Sequence, residues 1–86
     1  MTTMHKNKVA LIEALQDLET VNIQIEKYGG NNTLLKLQKF QVGRVNTLIN
    51  HLNSIGKLSD RESLSLMSLD LMSPKRFKLK FRIGGT

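Results

Sequence analysis

The chain has 86 residues, a formal net charge of +6 and no cysteine. That length allows one small domain with a marginal core, and the missing thiols exclude disulfides and cysteine metal centres as its staples. Self-association is the remaining common support for so small a core, and the excess of cations points to an anionic partner.

The first predicted element is a helix over about 6–28. Leu11, Ala14, Leu18, Val21, Ile25 and Tyr28 step by three and four residues, the a/d spacing of a packed seam. Ile12, Leu15 and Ile23 widen the stripe, and Glu13, Asp17, Glu19 and Glu26 lie mostly off it. Asn22 sits beside the seam; we read it as a partly exposed edge, the other reading being a polar contact that fixes register. Gly29-Gly30 ends the helix through a left-handed cap.

Asn31-Asn32-Thr33 offers capping side chains for a second helix, predicted over about 32–55 with Gly56 as its stop. Its seam is Leu35, Val42, Val45, Ile49 and Leu52, with Leu48 and Ile55 beside it. So short a linker makes the two helices an antiparallel hairpin. Ser59-Asp60-Arg61-Glu62 then reads as a capping box opening a third helix over about 60–72. Leu64, Met67 and Leu71 form its expected apolar face, and Ser73-Pro74 its end.

The remaining stretch, 73–86, has a different period. Phe77, Leu79, Phe81 and Ile83 alternate with Lys78, Lys80 and Arg82, which is a strand pattern. An isolated strand leaves its backbone groups unpaired, so this tail needs a partner edge or is disordered until one binds. The expected fold is therefore all-α: a helical domain over 1–72 with a basic strand-like tail. No apolar run is long enough to span a membrane, and Met1 to Lys8 leads into the amphipathic pattern without a signal-peptide core. A soluble, intracellular protein is expected.

The charges are sorted along the chain. No Asp or Glu occurs between Glu26 and Asp60, and none after Asp70. The acid-free middle holds Lys27, Lys36, Lys39, Arg44 and Lys57; the acid-free tail holds Lys75, Arg76, Lys78, Lys80 and Arg82. Projected at about 100° per residue, Lys39, Gly43, Asn46, Asn50, Asn53 and Lys57 share one stripe of the second helix, with Lys36 beside it. Lysine supplies charge, and asparagine supplies donors and acceptors that do not repel phosphate, so this face suits a nucleic-acid backbone. A solvated surface is the plainer reading, although surface helices usually mix both signs. The tail reads equally as a nucleic-acid arm or as an edge strand guarded by lysines.

Catalytic patterns are missing. His5 and His51 fall in separate elements with no carboxylate cluster beside them, so no metal site is expected. The serines, including Ser54, Ser63 and Ser68, read as caps, turns and exposed positions, with no base or oxyanion partner. Gly29-Gly30 lacks the surroundings of a phosphate loop. The chain is read as non-enzymatic, without a cofactor.

The run Lys8-Val9-Ala10-Leu11-Ile12-Glu13-Ala14-Leu15-Gln16-Asp17 resembles the start of the small RNA-silencing suppressors of nodaviruses, which also show a Lys, an Ala-Leu-Ile triplet, a Leu and an Asp at this spacing. The outline of long helix, short turn, longer helix and short third helix is similar too. The resemblance implies a homodimeric four-helix bundle in the host cytoplasm, laying a basic face along double-stranded RNA. It places RNA contacts on Lys36, Lys39, Arg44 and Lys57, to which the stripe adds Asn46 and Asn50. The alternating basic tail lies outside that pattern. Gln41-Val42-Gly43 followed by Leu48 resembles the second helix of phage sponges for cyclic oligonucleotides. The competing class is a small phage or viral inhibitor of a host protein, its tail adding a strand to the partner's sheet.

Overall fold

The computed structural model of the chain describes residues 6–74 and 77. Helix α1 covers Lys6–Tyr28, α2 covers Asn32–Ser54 and α3 covers Asp60–Met67. All regular secondary structure among the described residues is helical, and α1 and α2 pack against each other as a hairpin.

Both ends of the hairpin turn are set by local chemistry. Gly29 adopts φ +82° and donates its N–H to the Ile25 carbonyl at 2.9 Å, the left-handed cap that a side chain would oppose. Two residues on, Asn31 is extended and its Oδ1 accepts the Leu34 N–H at 2.9 Å, which starts α2. At the far end Gly56 has φ +69°, its N–H donates to the Asn53 carbonyl, and the Lys57 N–H reaches the Leu52 carbonyl. That bonding pattern is a Schellman cap.

The hairpin core consists of Leu11, Ala14, Leu15 and Leu18 from α1 with Val45, Ile49 and Leu52 from α2. Leu11, Leu18, Val45 and Leu52 are fully enclosed. Burial of each such side chain contributes roughly 1.5–3 kcal/mol. The ends of the expected seams depart from this. Tyr28 is 72 % exposed, its ring 5.3 Å from the Lys27 ammonium, because the chain turns away at Gly29. In α2, Leu35 is exposed and Gln38 and Gln41 are buried in its stead. Asn22 is also buried, which corrects its reading as an exposed edge. The physical reason is a shared contact: Gln38 Nε2 donates to Asn22 Oδ1 at 2.8 Å, so both amides can leave water together.

Helix α3 begins as expected. The Ser59 hydroxyl accepts the Glu62 N–H at 3.1 Å and Glu62 Oε1 accepts the Ser59 N–H at 3.0 Å. It ends at Met67, short of the predicted residue 72. Ser68 Oγ donates to the Ser65 carbonyl, and Asp70 Oδ1 accepts the Met72 N–H. Such side-chain bonds offer the backbone an alternative to the helix. The shorter helix changes which residues pack. Leu66 is buried, while Leu64 and Met67 point to solvent. Leu58 closes the core from the α2–α3 linker, and Leu69, Leu71 and Phe77 cover it from the segment after α3.

That last segment is tied to α1. Asn22 Nδ2 donates to the Leu71 carbonyl at 2.7 Å, and the Phe77 N–H donates to Glu19 Oε2 at 2.8 Å. The expected strand falls almost entirely outside the described residues. Phe77, which lies within them, rests on the helical core and is not in a strand.

Glu62 also anchors α3 to the start of α1, where Lys8 Nζ donates to its Oε2 at 3.5 Å. Burial alone would raise this carboxyl, but the Ser59 N–H and hydroxyl, aided by the Lys8 ammonium, outweigh it and hold it below its ordinary value. A lowered carboxyl pKa stabilises the fold at neutral pH, and the contribution disappears as pH falls through the lowered value. Urea midpoints measured downward from about pH 5 should therefore fall more steeply for the wild type than for Glu62→Gln. Parallel pH profiles would show that the carboxylate adds nothing to folding.

Candidate nucleic-acid interface

The chain from Asn32 to Ser54 contains no carboxylate, so every formal charge on α2 is positive. Lys36 and Lys39 are exposed, and Phe40 beside them is 64 % exposed. Lys39, Phe40, Gly43, Arg44, Thr47 and Leu48 line an open groove of about 550 Å³ along the outer side of the helix. By helical projection Lys39 lies on one side of Gly43, and Phe40, Arg44, Thr47 and Leu48 lie on the other.

Gly43 has no internal reason to be glycine. It lies within α2, it is not among the glycines with positive φ, and a methyl group there would meet nothing within 4 Å. Inside a helix, glycine is less favourable than alanine by on the order of 1 kcal/mol. Gly30 is a contrasting case, since a Cβ there would come within 3.2 Å of Leu35 Cδ2.

Arg44 is partly engaged. Its Nη1 lies 3.9 Å from Asp17 Oδ2 on α1, with side-chain exposures of 34 % and 59 %. An ion pair that long and that wet is worth under about 1 kcal/mol, so the guanidinium remains available to a competing anion.

The predicted stripe divides in the structure. Asn46, Asn50 and Asn53 line a separate depression of about 300 Å³ with Ile49, Leu66, Met67, Leu69 and Leu71. Asn53 Oδ1 accepts the Ser63 hydroxyl at 2.5 Å, so that side chain is committed to α3. Lys39 and Arg44 thus share a groove, whereas Asn46 and Asn50 belong to the α3 side. Lys57 is exposed in the linker beyond the Schellman cap. The candidate tail residues Lys75, Arg76, Lys78, Lys80 and Arg82 lie outside the described residues.

Phe40 and Thr47 are groove residues that the sequence reading did not single out. A signal was present: Phe40 lies off the apolar seam, three residues before Gly43, where an aromatic side chain has no core to enter. Apart from Asp17, which lies beside Arg44, the carboxylates are placed elsewhere. Glu13, Asp17 and Glu26 are exposed on α1, and Asp60 and Asp70 sit at or beyond the ends of α3. Among the described residues, no group of three or more His, Cys, Asp or Glu is placed to hold a metal ion. No helix there is long and apolar enough to cross a membrane. Comparison with known protein families, with characterised proteins and with solved structures finds no match to this chain.

Proposed function

We propose that the chain is a non-enzymatic binding protein for duplex nucleic acid, with double-stranded RNA as its preferred form. The observation that carries this reading is the exposed α2 face, where Lys36, Lys39 and Arg44 stand without a carboxylate on their own helix. A rigid straight helix bearing cations tracks a sugar-phosphate backbone by shape and charge, with no readout of bases. Coating the duplex in this way denies it to processing enzymes, which is the action of a viral suppressor of RNA silencing.

The working unit in this proposal is a homodimer in which two hairpins form a four-helix bundle. Leu37 supports it. Its side chain is 43 % exposed, and by helical projection it lies on the flank of α2 opposite the one that α3 covers, where a second copy can bury it.

The direct experiment titrates labelled duplex RNA, duplex DNA and single-stranded RNA at two salt concentrations. Binding of both duplexes above the single strand, with the RNA duplex tighter, is the expected result. The absence of duplex binding at low salt ends the proposal. Capture of a host protein with no affinity for any nucleic acid would instead favour an inhibitor.

A further inference from the structure

The groove on α2 holds a feature that charge alone does not explain. A solvated basic face needs no glycine, and the helix would be more stable with alanine at position 43. The space above Gly43 is open, so nothing inside the chain uses the close access it provides. That access is open to something that approaches from outside.

We propose that Gly43 is a main-chain contact point at which one ribose-phosphate strand of an RNA duplex lies directly on the α2 backbone, with phosphates held by Lys39 and Arg44 and a ribose against Phe40. This inference deepens the duplex-binding reading and rests on it.

The groove's own residues support that occupant. Lys39 and Arg44 are five residues apart, about 7.5 Å along the helix axis, so a strand crossing between them has a cation on each side. The Thr47 hydroxyl, one turn beyond Gly43, offers a donor of the kind that phosphate oxygens take. Phe40 is 64 % exposed and lines the same groove. An aromatic wall contributes nothing to holding a free phosphate, but it covers the apolar face of a sugar. The helix uses its own backbone N–H groups internally, so the contact at Gly43 is one of van der Waals closeness and Cα–H···O bonds to strand oxygens.

A second copy of the chain fits this groove poorly. Face-to-face packing would bring Lys39 and Arg44 of both copies together, and α2 has no carboxylate to offset them. The nearest acid is Asp17, already beside Arg44. Charge complementarity therefore assigns the groove to an anionic strand and leaves the exposed surface around Leu37 to self-association.

The test is a pair of glycine variants read by two measurements. Gly43→Ala should melt at a higher temperature than the wild type and bind duplex RNA about tenfold more weakly at low salt. Its slope of log affinity against log salt should equal that of the wild type, because no charge is removed. Gly43→Leu should bind more weakly still while remaining folded. If either variant binds duplex RNA as tightly as the wild type, the backbone contact is wrong and the duplex reading stands. If the wild type binds no duplex, both fall. A change in the mass of the free protein caused by Gly43→Ala, with RNA affinity intact, would make the groove a protein contact and also overturn the inference.

Discussion

Replacing Asn22 with alanine is expected to destabilise the chain by about 3 kcal/mol. Asn22 is 2 % exposed and works in both directions: its Oδ1 accepts from Gln38 Nε2, and its Nδ2 donates to the Leu71 carbonyl. Truncation leaves a donor on α2 and an acceptor in the segment after α3, both without their partner. Each such group is unfavourable by roughly 1–3 kcal/mol. Gln38→Leu alone should cost less, about 1–2 kcal/mol, since it orphans only Asn22 Oδ1 and Asn22 keeps the Leu71 carbonyl. Asn22→Leu/Gln38→Leu should then be less destabilised than the sum of the two single leucine variants, because removing both amides leaves only the Leu71 carbonyl unpaired. Urea denaturation of the variants closes the cycle. A loss below about 1 kcal/mol for Asn22→Ala would mean that water reaches the pair and that the amides are not a buried link.

The second large effect is on binding. Lys36→Ala/Lys39→Ala/Arg44→Ala should lose about 100-fold in affinity for duplex RNA at low salt, and the salt slope should shrink by roughly 3. The fold should survive, because Lys36 and Lys39 are exposed and the 3.9 Å pair between Arg44 and Asp17 is a surface interaction. Lys57→Ala, beyond the end of α2, serves as the comparison and should lose far less. Circular dichroism confirms that helix content is retained. If Lys57→Ala alone lost about one third of the triple variant's loss in log affinity, only the overall charge would matter, and the assignment of the interface to α2 would fail.

The hairpin was legible in the sequence because its signals are local. Period-3.6 leucines, Gly29 and Gly56 at the stops, and Asn31 and Ser59 at the starts each act within a few residues of themselves. The misread positions are those whose environment comes from far along the chain. Asn22 looks like the edge of a stripe until Gln38 and the Leu71 carbonyl are brought to it from 16 and 49 residues away. Leu35 looks like seam, but it sits in the first turn after the linker and remains exposed. The early end of α3 depends on Ser68 and Asp70 competing for backbone groups ahead of Pro74. The candidate site was legible as charge but not as shape. A projection of α2 places Lys39 and Asn53 on one stripe; it cannot show that α3 lies beside the asparagines and leaves the lysine in a groove with Phe40.

The three longest-range bonds that tie the C-terminal segment to the hairpin share an anchor. Lys8 to Glu62, Asn22 to the Leu71 carbonyl and Glu19 to the Phe77 N–H all start on α1 and span 54, 49 and 58 residues. The hairpin itself closes through a linker of three residues, 29–31. Assembly is therefore ordered: α1 and α2 zip from a nearby turn, and the later segment docks on a surface that must already exist. The same order run backwards gives a partly open form in which residues 59–74 lift as one cooperative unit while the hairpin stays closed. In that form Asn46, Asn50 and Asn53, exposed already, no longer face α3, and Asn53 loses its Ser63 partner. The polar face of α2 would then run the length of the helix, at a free energy set by the docking of α3 and not by global unfolding.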